Sequence, residues 1–406
     1  MSGSSSLRLF GRILILTLVF TGYASTFARA DADQPKKIVY VRAPDDRAPW
    51  PVQDIYSVNA DGTEDRALTN DGHSYSPALS PDGRTILFQH DTSLRTPPPY
   101  KEIAGFESHH PTELYVMNAD GSDPHLLIHA ERGVSNASWS RDGKAITATL
   151  CPETPADAKC GVFVLPADGG GLGRLIISDA LYGRWSPDGT KLAFSVRSGD
   201  GHSEISVANP DGSDKTSLIK NAAAYKYAVF EGWSPDSKRT VYSVAVEGGN
   251  FEIYAANADG SDPVRLIDPE AYPSAVDGAW SPDGKKIAFS AFAKHLRSGA
   301  PTNQGLDDFI TREQIFLVNP DGSGLQQFTT DPEWGCVSPA WSPDGKRLTF
   351  FCRAASAPCA AGHTGPPNAG SRGCLRRIFV TSSGDPVSKL TPIIEHDGAG
   401  PKFIPE

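Results

Sequence analysis

The chain has 406 residues, 39% hydrophobic and 21% charged, with 38 Lys and Arg against 48 Asp and Glu and a formal net charge of −10 at pH 7. Such a chain repels nucleic acid and anionic membrane, and no basic run interleaved with aromatics offsets this, so both are set aside as partners. The six cysteines read as disulfides rather than a zinc site, because no Cys-x-x-Cys occurs and none has a histidine at finger-like spacing.

At the N-terminus Arg8 and Arg12 precede an apolar run at residues 13–20, and the segment ends in Ala28-Arg29-Ala30. This is the layout of a secretory signal peptide over residues 1–30, cleaved after Ala30; the run is shorter than the roughly 20 residues of a membrane span. Removing Arg8, Arg12 and Arg29, and no acid, takes the net charge to −13. The expectation is a soluble protein, periplasmic or secreted, with every cysteine in the mature part.

Beyond residue 37 two turn motifs alternate. A tetrapeptide of the Ser-Pro-Asp-Gly kind recurs at residues 80–83, 140–143, 186–189, 234–237, 281–284 and 342–345, and Trp139, Trp185, Trp233, Trp280 and Trp341 precede five of the six. A second motif, of the Asn-Ala-Asp-Gly kind, ends at Gly62, Gly121, Gly169, Gly212, Gly260 and Gly322, with a degenerate seventh at Ser383-Gly384-Asp385. Ser or Asn caps such a turn, Asp tolerates its third position, and Gly accepts the positive φ that ends it. Short β-branched and aromatic runs flank both, such as Ile86-Leu87-Phe88 and Ile253-Tyr254-Ala255, and read as strands. One unit is therefore four antiparallel strands, which is a propeller blade. Extra length at residues 91–111 and 291–312 falls between second and third strands, where loops take insertions.

Trp-Ser-Pro-Asp-Gly-Lys-x-Ile-Ala-Phe followed by Ile-Tyr-x-x-Asn-Ala-Asp-Gly-Ser resembles the TolB-type, WD-like propeller repeat over nearly the whole mature chain. In the families that it resembles, this repeat serves protein binding in the Tol-Pal envelope system, substrate gating in prolyl oligopeptidase-type peptidases, and sugar-acid lyases. The resemblance implies an all-β fold. The ends complete each other: residues 37–42 begin at a second strand, and Pro401-Lys402-Phe403-Ile404-Pro405 matches the first-strand segment at residues 77–81. The expected architecture is a seven-bladed propeller of four-stranded blades over residues 31–406, closed by a C-terminal strand with the N-terminal blade.

Strand alternation places all short turns at one end of the blades and all long loops at the other. The turn aspartates, from Asp61 to Asp385, are turn chemistry rather than a calcium site, which needs six to eight oxygens in one place. Eight of the ten histidines fall on the long-loop face: His73, His109, His110, His129, His202, His295, His363 and His396. The lyase resemblance implies a divalent metal held by several histidines, with His73, His202 and His396 as the ligand set, but no fixed ligand spacing accompanies them. No Gly-x-Ser-x-Gly elbow occurs, and no segment remains to build an α/β-hydrolase domain. TolB's small α/β domain has no counterpart, since residues 31–37 lead straight into the first strand.

The aromatics Trp50, Tyr100, Phe106, Tyr225, Tyr227, Phe292, Phe309 and Trp334 on the long-loop face suit a partner surface. The expectation is a monomeric, non-catalytic scaffold without cofactor that binds an envelope or secreted protein. Carbohydrate or small-ligand binding, or metal-dependent lyase chemistry, stands as the alternative. Three disulfides are expected: Cys151 with Cys160, Cys352 with Cys374, and Cys336 with Cys359.

Overall fold

The apolar runs between the turns are all strands, and no helix occurs among the described residues of the computed structural model. Those residues are 37–42, 53–92, 112–130, 132–152, 159–171, 173–197, 202–219, 225, 227–246, 250–293, 313–354, 376–384, 386–388, 392–394 and 399–403. The expected signal peptide lies outside them.

Lys37–Arg42 (β1), Asp54–Asn59 (β2) and Arg66–Ala67 (β3) belong to the first sheet. The second sheet holds Ser74–Leu79 (β4), Thr85–Asp91 (β5), Thr112–Asn118 (β6) and His125–Ala130 (β7). The third is Val134–Trp139 (β8), Ala145–Leu150 (β9), Gly161–Pro166 (β10) and Arg174–Ser178 (β11), and the fourth Ala180–Trp185 (β12), Leu192–Arg197 (β13), Ser203–Ala208 (β14) and Thr216–Ser217 (β15). Tyr227–Trp233 (β16), Arg239–Ala245 (β17), Phe251–Asn257 (β18) and Val264–Arg265 (β19) join Ser274–Trp280 (β20), Ile287–Phe292 (β21), Glu313–Val318 (β22) and Gln326–Gln327 (β23) in an eight-stranded sheet. Trp334–Trp341 (β24), Arg347–Ala354 (β25) and Arg376–Ser382 (β26) form a three-stranded sheet, while Ala399–Phe403 (β27) pairs with β1, Phe403 opposite Ile38.

Among the described residues the strands form six hydrogen-bonded sheets, where the turn count predicts seven separate four-stranded ones. A single parallel pair, Phe251 with Ser274, merges two repeats into the eight-stranded sheet. In the last sheet a bridge joins Ile378 of β26 to Ile394 at the outer place.

Repeats pack face to face, so central strands are buried on both sides and read as continuous apolar runs rather than alternating ones; β20, β21 and β22 are buried at every residue. Each apolar cluster is shared by successive repeats: Val39 and Ile55 with Ile86 and Phe88, Leu87 and Leu114 with Ile146 and Leu165, Val162 with Leu192 and Phe194. The series continues with Ile205 and Val207 against Phe230 and Tyr242, Val241 and Ile253 against Ile287 and Phe289, and Ile315 and Leu317 against Leu348 and Phe350. It ends with Ile378 and Ile394 against Ile38 and Tyr56, which brings the last repeat onto the first. Within repeats, facing aromatics stack across the second and third strands, as in Tyr242 on Tyr254 at 5.7 Å and Phe350 on Phe379 at 5.9 Å between ring centres.

The repeated Trp is a staple between repeats. Nε1 of Trp139 donates to Ala78 O at 3.0 Å, and that of Trp341 to Ala279 O at 3.0 Å, each reaching the first strand of the repeat before. The Asn-Ala-Asp-Gly glycine works at the other edge. A Cβ on Gly121 would lie 3.2 Å from the Leu68 backbone, one on Gly212 2.8 Å from Ile176 O, and one on Gly62 2.9 Å from Ile393 O, always on the outer strand position of the preceding repeat.

Each turn is also locked internally. In the Ser-Pro-Asp-Gly turns the Ser hydroxyl donates to Asp Oδ1, as from Ser140 to Asp142 at 2.7 Å, and accepts the amide five residues on, as from Ala145 at 2.9 Å. In the second motif Asp Oδ1 accepts both the amide and the hydroxyl two residues later, as from Ser122 to Asp120 at 2.9 and 2.6 Å. Hydroxyl donors are the leading cause that holds the Asp61, Asp82, Asp120, Asp142, Asp211 and Asp321 carboxyls below the usual range. In Asp188, Asp236 and Asp283 burial is the largest effect and acts upward, but hydroxyl and amide donors outweigh it and the carboxyl is again lowered.

Two disulfides are present among the described residues. Cys151 joins Cys160 as expected. Cys336 joins Cys352, which corrects the expected pairs of Cys352 with Cys374 and Cys336 with Cys359. The reason is register: β24 begins at Trp334, so Cys336 lies inside the strand, directly opposite Cys352 in β25. Cys359 and Cys374 lie outside the described residues. Disulfides fit an oxidising compartment.

Two outcomes follow from the turns. Gly260 (φ +78) and Gly189 (φ +76) share a left-handed backbone, but a Cβ at Gly260 would collide with the Leu218 backbone and one at Gly189 meets open space. Gly189→Ala should cost about 1–2 kcal/mol for backbone strain alone, and Gly260→Ala at least about 1 kcal/mol more from overpacking; urea unfolding of both variants measures the difference. Because the turn carboxyls are lowered in the folded state, their stabilisation is complete above the unfolded value of 3.8 and is lost as pH falls through the folded values. Thermal unfolding should therefore show a steep fall in Tm below about pH 4, spread over many turns rather than one.

Candidate functional site

The first strand of each repeat sits at the inner edge, with β4 against β8, β8 against β12, β16 against β20, β20 against β24 and β24 against β27. Every one of the six that opens a Ser-Pro-Asp-Gly repeat carries a break in register near its middle. The break falls between Tyr75 and Ala78 in β4, Ser135 and Ser138 in β8, Leu181 and Arg184 in β12, Phe230 and Gly232 in β16, Val276 and Ala279 in β20, and Val337 and Ala340 in β24. Such a bulge re-aims a side chain. At five of the bulges a non-glycine residue takes a left-handed backbone: Ser76 (φ 51), Asn136 (φ 54), Tyr182 (φ 60), Asp277 (φ 61) and Ser338 (φ 54). Left-handed backbone at non-glycine positions costs roughly 1–2 kcal/mol each and is kept where surrounding structure over-determines it.

Two acids stand at this level on neighbouring strands, Glu231 in β16 and Asp277 in β20. Ser243 Oγ donates to Glu231 Oε1 at 2.6 Å, and Glu231 is half-buried. Asp277 Oδ2 accepts from Ser290 Oγ at 2.9 Å and from both the amide and the hydroxyl of Ser338 at 3.1 Å, tying β20 to β24. Asp277 Oδ1 is buried with no hydrogen-bond donor among the described residues. Burial pushes the Glu231 carboxyl up to about 8, the Asp277 charge adds to this, and Ser243, the Asp277 amide and the Arg184 guanidinium of β12 oppose it. Burial likewise raises Asp277 against the pull of Ser290 and Ser338. Glu313, at the start of β22, is raised well above the ordinary value by burial first and the Asp277 charge second. Sequence reading missed all three. The available signal was an acid ahead of the Gly and Trp that end the strand, in Glu231-Gly232-Trp233 and Asp277-Gly278-Ala279-Trp280.

Of the aromatics expected to form a partner surface, Tyr227 and Trp334 open inner strands β16 and β24 at the long-loop end, both half-buried. Tyr227 packs with Val229 on Ala245, Phe251 and Val276. The Trp334 ring meets Phe379 edge-on at 5.2 Å, with the Arg377 guanidinium 5.4 Å from its centre. Phe292 closes β21 and is buried. Tyr225 is half-buried, and its carbonyl lies 3.1 Å from His202 Nδ1. Trp50, Tyr100, Phe106 and Phe309 lie outside the described residues.

His73 precedes β4 in the second sheet and His202 precedes β14 in the fourth, His396 lies outside the described residues, and no group of three or more metal-ligating side chains occurs among those described. His73 instead meets His90 edge-on at 5.8 Å, and His90 Nδ1 lies 3.7 Å from Asp71 Oδ2. Across the same sheet Ser74, His90, Glu113 and His129 stand directly opposite one another, with His129 Nδ1 2.9 Å from Glu113 Oε1. Asp71, His90 and Glu113 had no place in the sequence reading, because only strand pairing sets them in one row.

No protein-family model and no curated protein matches the chain. Solved structures do. TolB from Acinetobacter baumannii is 14% identical with a TM-score of 0.51, the match covering 100% of this chain and 74% of that one. The β-propeller domain of the trilobed protease from Pyrococcus furiosus is 11% identical with a TM-score of 0.55, covering 93% and 97%. A puromycin-hydrolyzing peptidase from Mycobacterium tuberculosis is 12% identical with a TM-score of 0.59, covering 93% of this chain but 54% of its own, so this chain spans about half that enzyme. At such identities the likeness speaks for the fold, and the chain is by fold a TolB-like β-propeller protein.

Proposed function

We propose that this protein is a periplasmic or secreted, non-catalytic propeller scaffold that binds another protein in the cell envelope through its long-loop face. The carrying observation is the contrast between the two ends. At the short-turn end, side chains are spent on the turns themselves: the Ser, Asp and Asn side chains bond within each turn, and Arg174 and Arg239 donate to carbonyls of neighbouring turns at Pro210 and Pro320. At the other end Tyr227 and Trp334 stand half-buried at the mouths of inner strands, with a large apolar body and a polar tip or edge of the kind that anchors a partner. The connections 93–111, 294–312 and 355–375 leave from and return to that end. The two disulfides and the layout of residues 1–30 support an exported protein.

The same reading takes the architecture as seven blades, the eight-stranded sheet counting as two. Support comes from the apolar clusters, each shared by two successive repeats, and from Gly62 resting on Ile393 just as Gly121 rests on Leu68.

Partner capture tests the assignment of the face. The full exported chain, tagged and cross-linked in its own cells, should recover an envelope or secreted protein. Tyr227→Ala and Trp334→Ala should lower that recovery roughly tenfold or more, as hot-spot truncations do, with the fold checked by thermal unfolding. Asp120→Asn and Asp211→Asn at the short turns should lower Tm and leave recovery unchanged. Loss of capture from the turn variants, with the aromatic variants unaffected, would assign binding to the opposite face.

A further inference from the structure

Charge is distributed unevenly along the chain, and the last sheet departs furthest from the mean. The whole chain carries a net charge of −10, yet between Asp344 and Asp385 it holds no Asp or Glu. Within that stretch Arg353 stands next to the end of β25, and Arg376 and Arg377 open β26. All three lie at the long-loop end of the sheet, where Trp334 opens β24. Register sets Arg353 directly opposite Arg376, with Gly335 of β24 completing the row, and Arg377 opposite Cys352 in the row beside it. Among the described strand pairs no other directly opposed residues carry two like charges. At the same end of other sheets an opposite charge is supplied: Arg42 stands opposite Asp54, and Glu113 lies between His90 and His129.

Directly opposed residues of antiparallel strands have Cβ atoms about 5 Å apart, and like charges there destabilise the sheet. Arg377 adds a third guanidinium, 5.4 Å from the centre of the half-buried Trp334 ring, and its Nε is buried without a hydrogen-bond partner among the described residues. An anion lying against such a row relieves the repulsion. We propose that Arg353, Arg376, Arg377 and Trp334 form the docking surface for an acidic segment of the partner protein, its Asp or Glu carboxylates pairing with Arg353 and Arg376. This rests on the reading of the long-loop face as the binding face and adds the chemistry of what binds there. Charge complementarity selects the occupant: guanidinium forks match carboxylates, and the indole covers the apolar part of such a segment. A long polyanion or an anionic membrane would also meet the acidic remainder of the chain, whereas a short acidic segment can sit on this one sheet.

The probe is a fluorescently labelled oligoglutamate peptide, titrated with the full exported chain at low salt and followed by anisotropy, with oligoglutamine as the uncharged control. Oligoglutamate should bind and oligoglutamine should not, binding should weaken steeply as salt rises, and Arg353→Gln combined with Arg376→Gln should weaken it about tenfold. Without ligand, the same double variant should have a higher Tm than the wild type at low salt, with the gain shrinking at high salt, because the opposed charges are gone. A Tm lowered at both salts, or oligoglutamate binding that is absent or equal in wild type and double variant, would overturn the proposal. Tighter binding of heparin or of phosphatidylglycerol vesicles, lost in the double variant, would overturn it too, by making the ligand a polysaccharide or a lipid surface. In partner capture the double variant should recover roughly a tenth of the wild-type amount. Capture at the wild-type level by the double variant, with Trp334→Ala still defective, overturns the acidic chemistry alone, whereas capture unaffected by both Tyr227→Ala and Trp334→Ala overturns the long-loop reading beneath it.

Discussion

Close approach of each Asn-Ala-Asp-Gly turn to the outer strand position of the preceding repeat is the constraint on which the rest of this molecule depends. A glycine is required there twice over, by its positive φ and by the backbone lying where a Cβ would stand, as Leu218 does at Gly260. With that edge seated, the aromatic and aliphatic faces of neighbouring repeats meet, and Trp139, Trp233 and Trp341 each reach a carbonyl of the repeat before. Outer turn and apolar interface recur between repeats, with the inner Trp a third line of contact at Trp139, Trp233 and Trp341. The same device brings Ile393 onto Gly62, so the two ends of the chain are held by the contact that holds every interior junction, in addition to the pairing of β27 with β1.

Conflict between local and global preference recurs in the inner strands; most other residues suit their places, with Gly at most positive-φ turns, although Glu64 and Ser237 are also left-handed. At Ser76, Asn136, Tyr182, Asp277 and Ser338 the backbone is held in a conformation these residues do not favour, and the acid Asp277 is buried there. Local strain and buried charge are where functional or regulatory demands are expected to override stability.

The repeat, the strand character of its runs and the face on which each turn lies were all legible in the sequence, since turn chemistry acts over four or five residues and its signature is local. Asp142 and Ser140 bond to each other and to their own neighbours wherever the chain places them. The pairing of Cys151 with Cys160 was legible for the same reason, because the two flank one hairpin at a sequence separation of 9. The pairing of Cys336 with Cys352 was not, as it turns on where β24 begins, and a strand's start is set by its partner rather than by its own residues. Merging of two repeats into one sheet likewise rests on a single bridge between Phe251 and Ser274 that no local pattern announces.

What only the tertiary structure decided lies between repeats. Asp277 and Ser338 are 61 residues apart and meet because two bulged strands lie side by side around an axis. His90, Glu113 and His129 fall in one row because register across β5, β6 and β7 aligns them. Sequence determines which turns and strands form, through short-range hydrogen bonds and backbone sterics. Which side chains then share a site depends on register, bulges and the order of repeats around the ring, and these are fixed only when every repeat has found its neighbour.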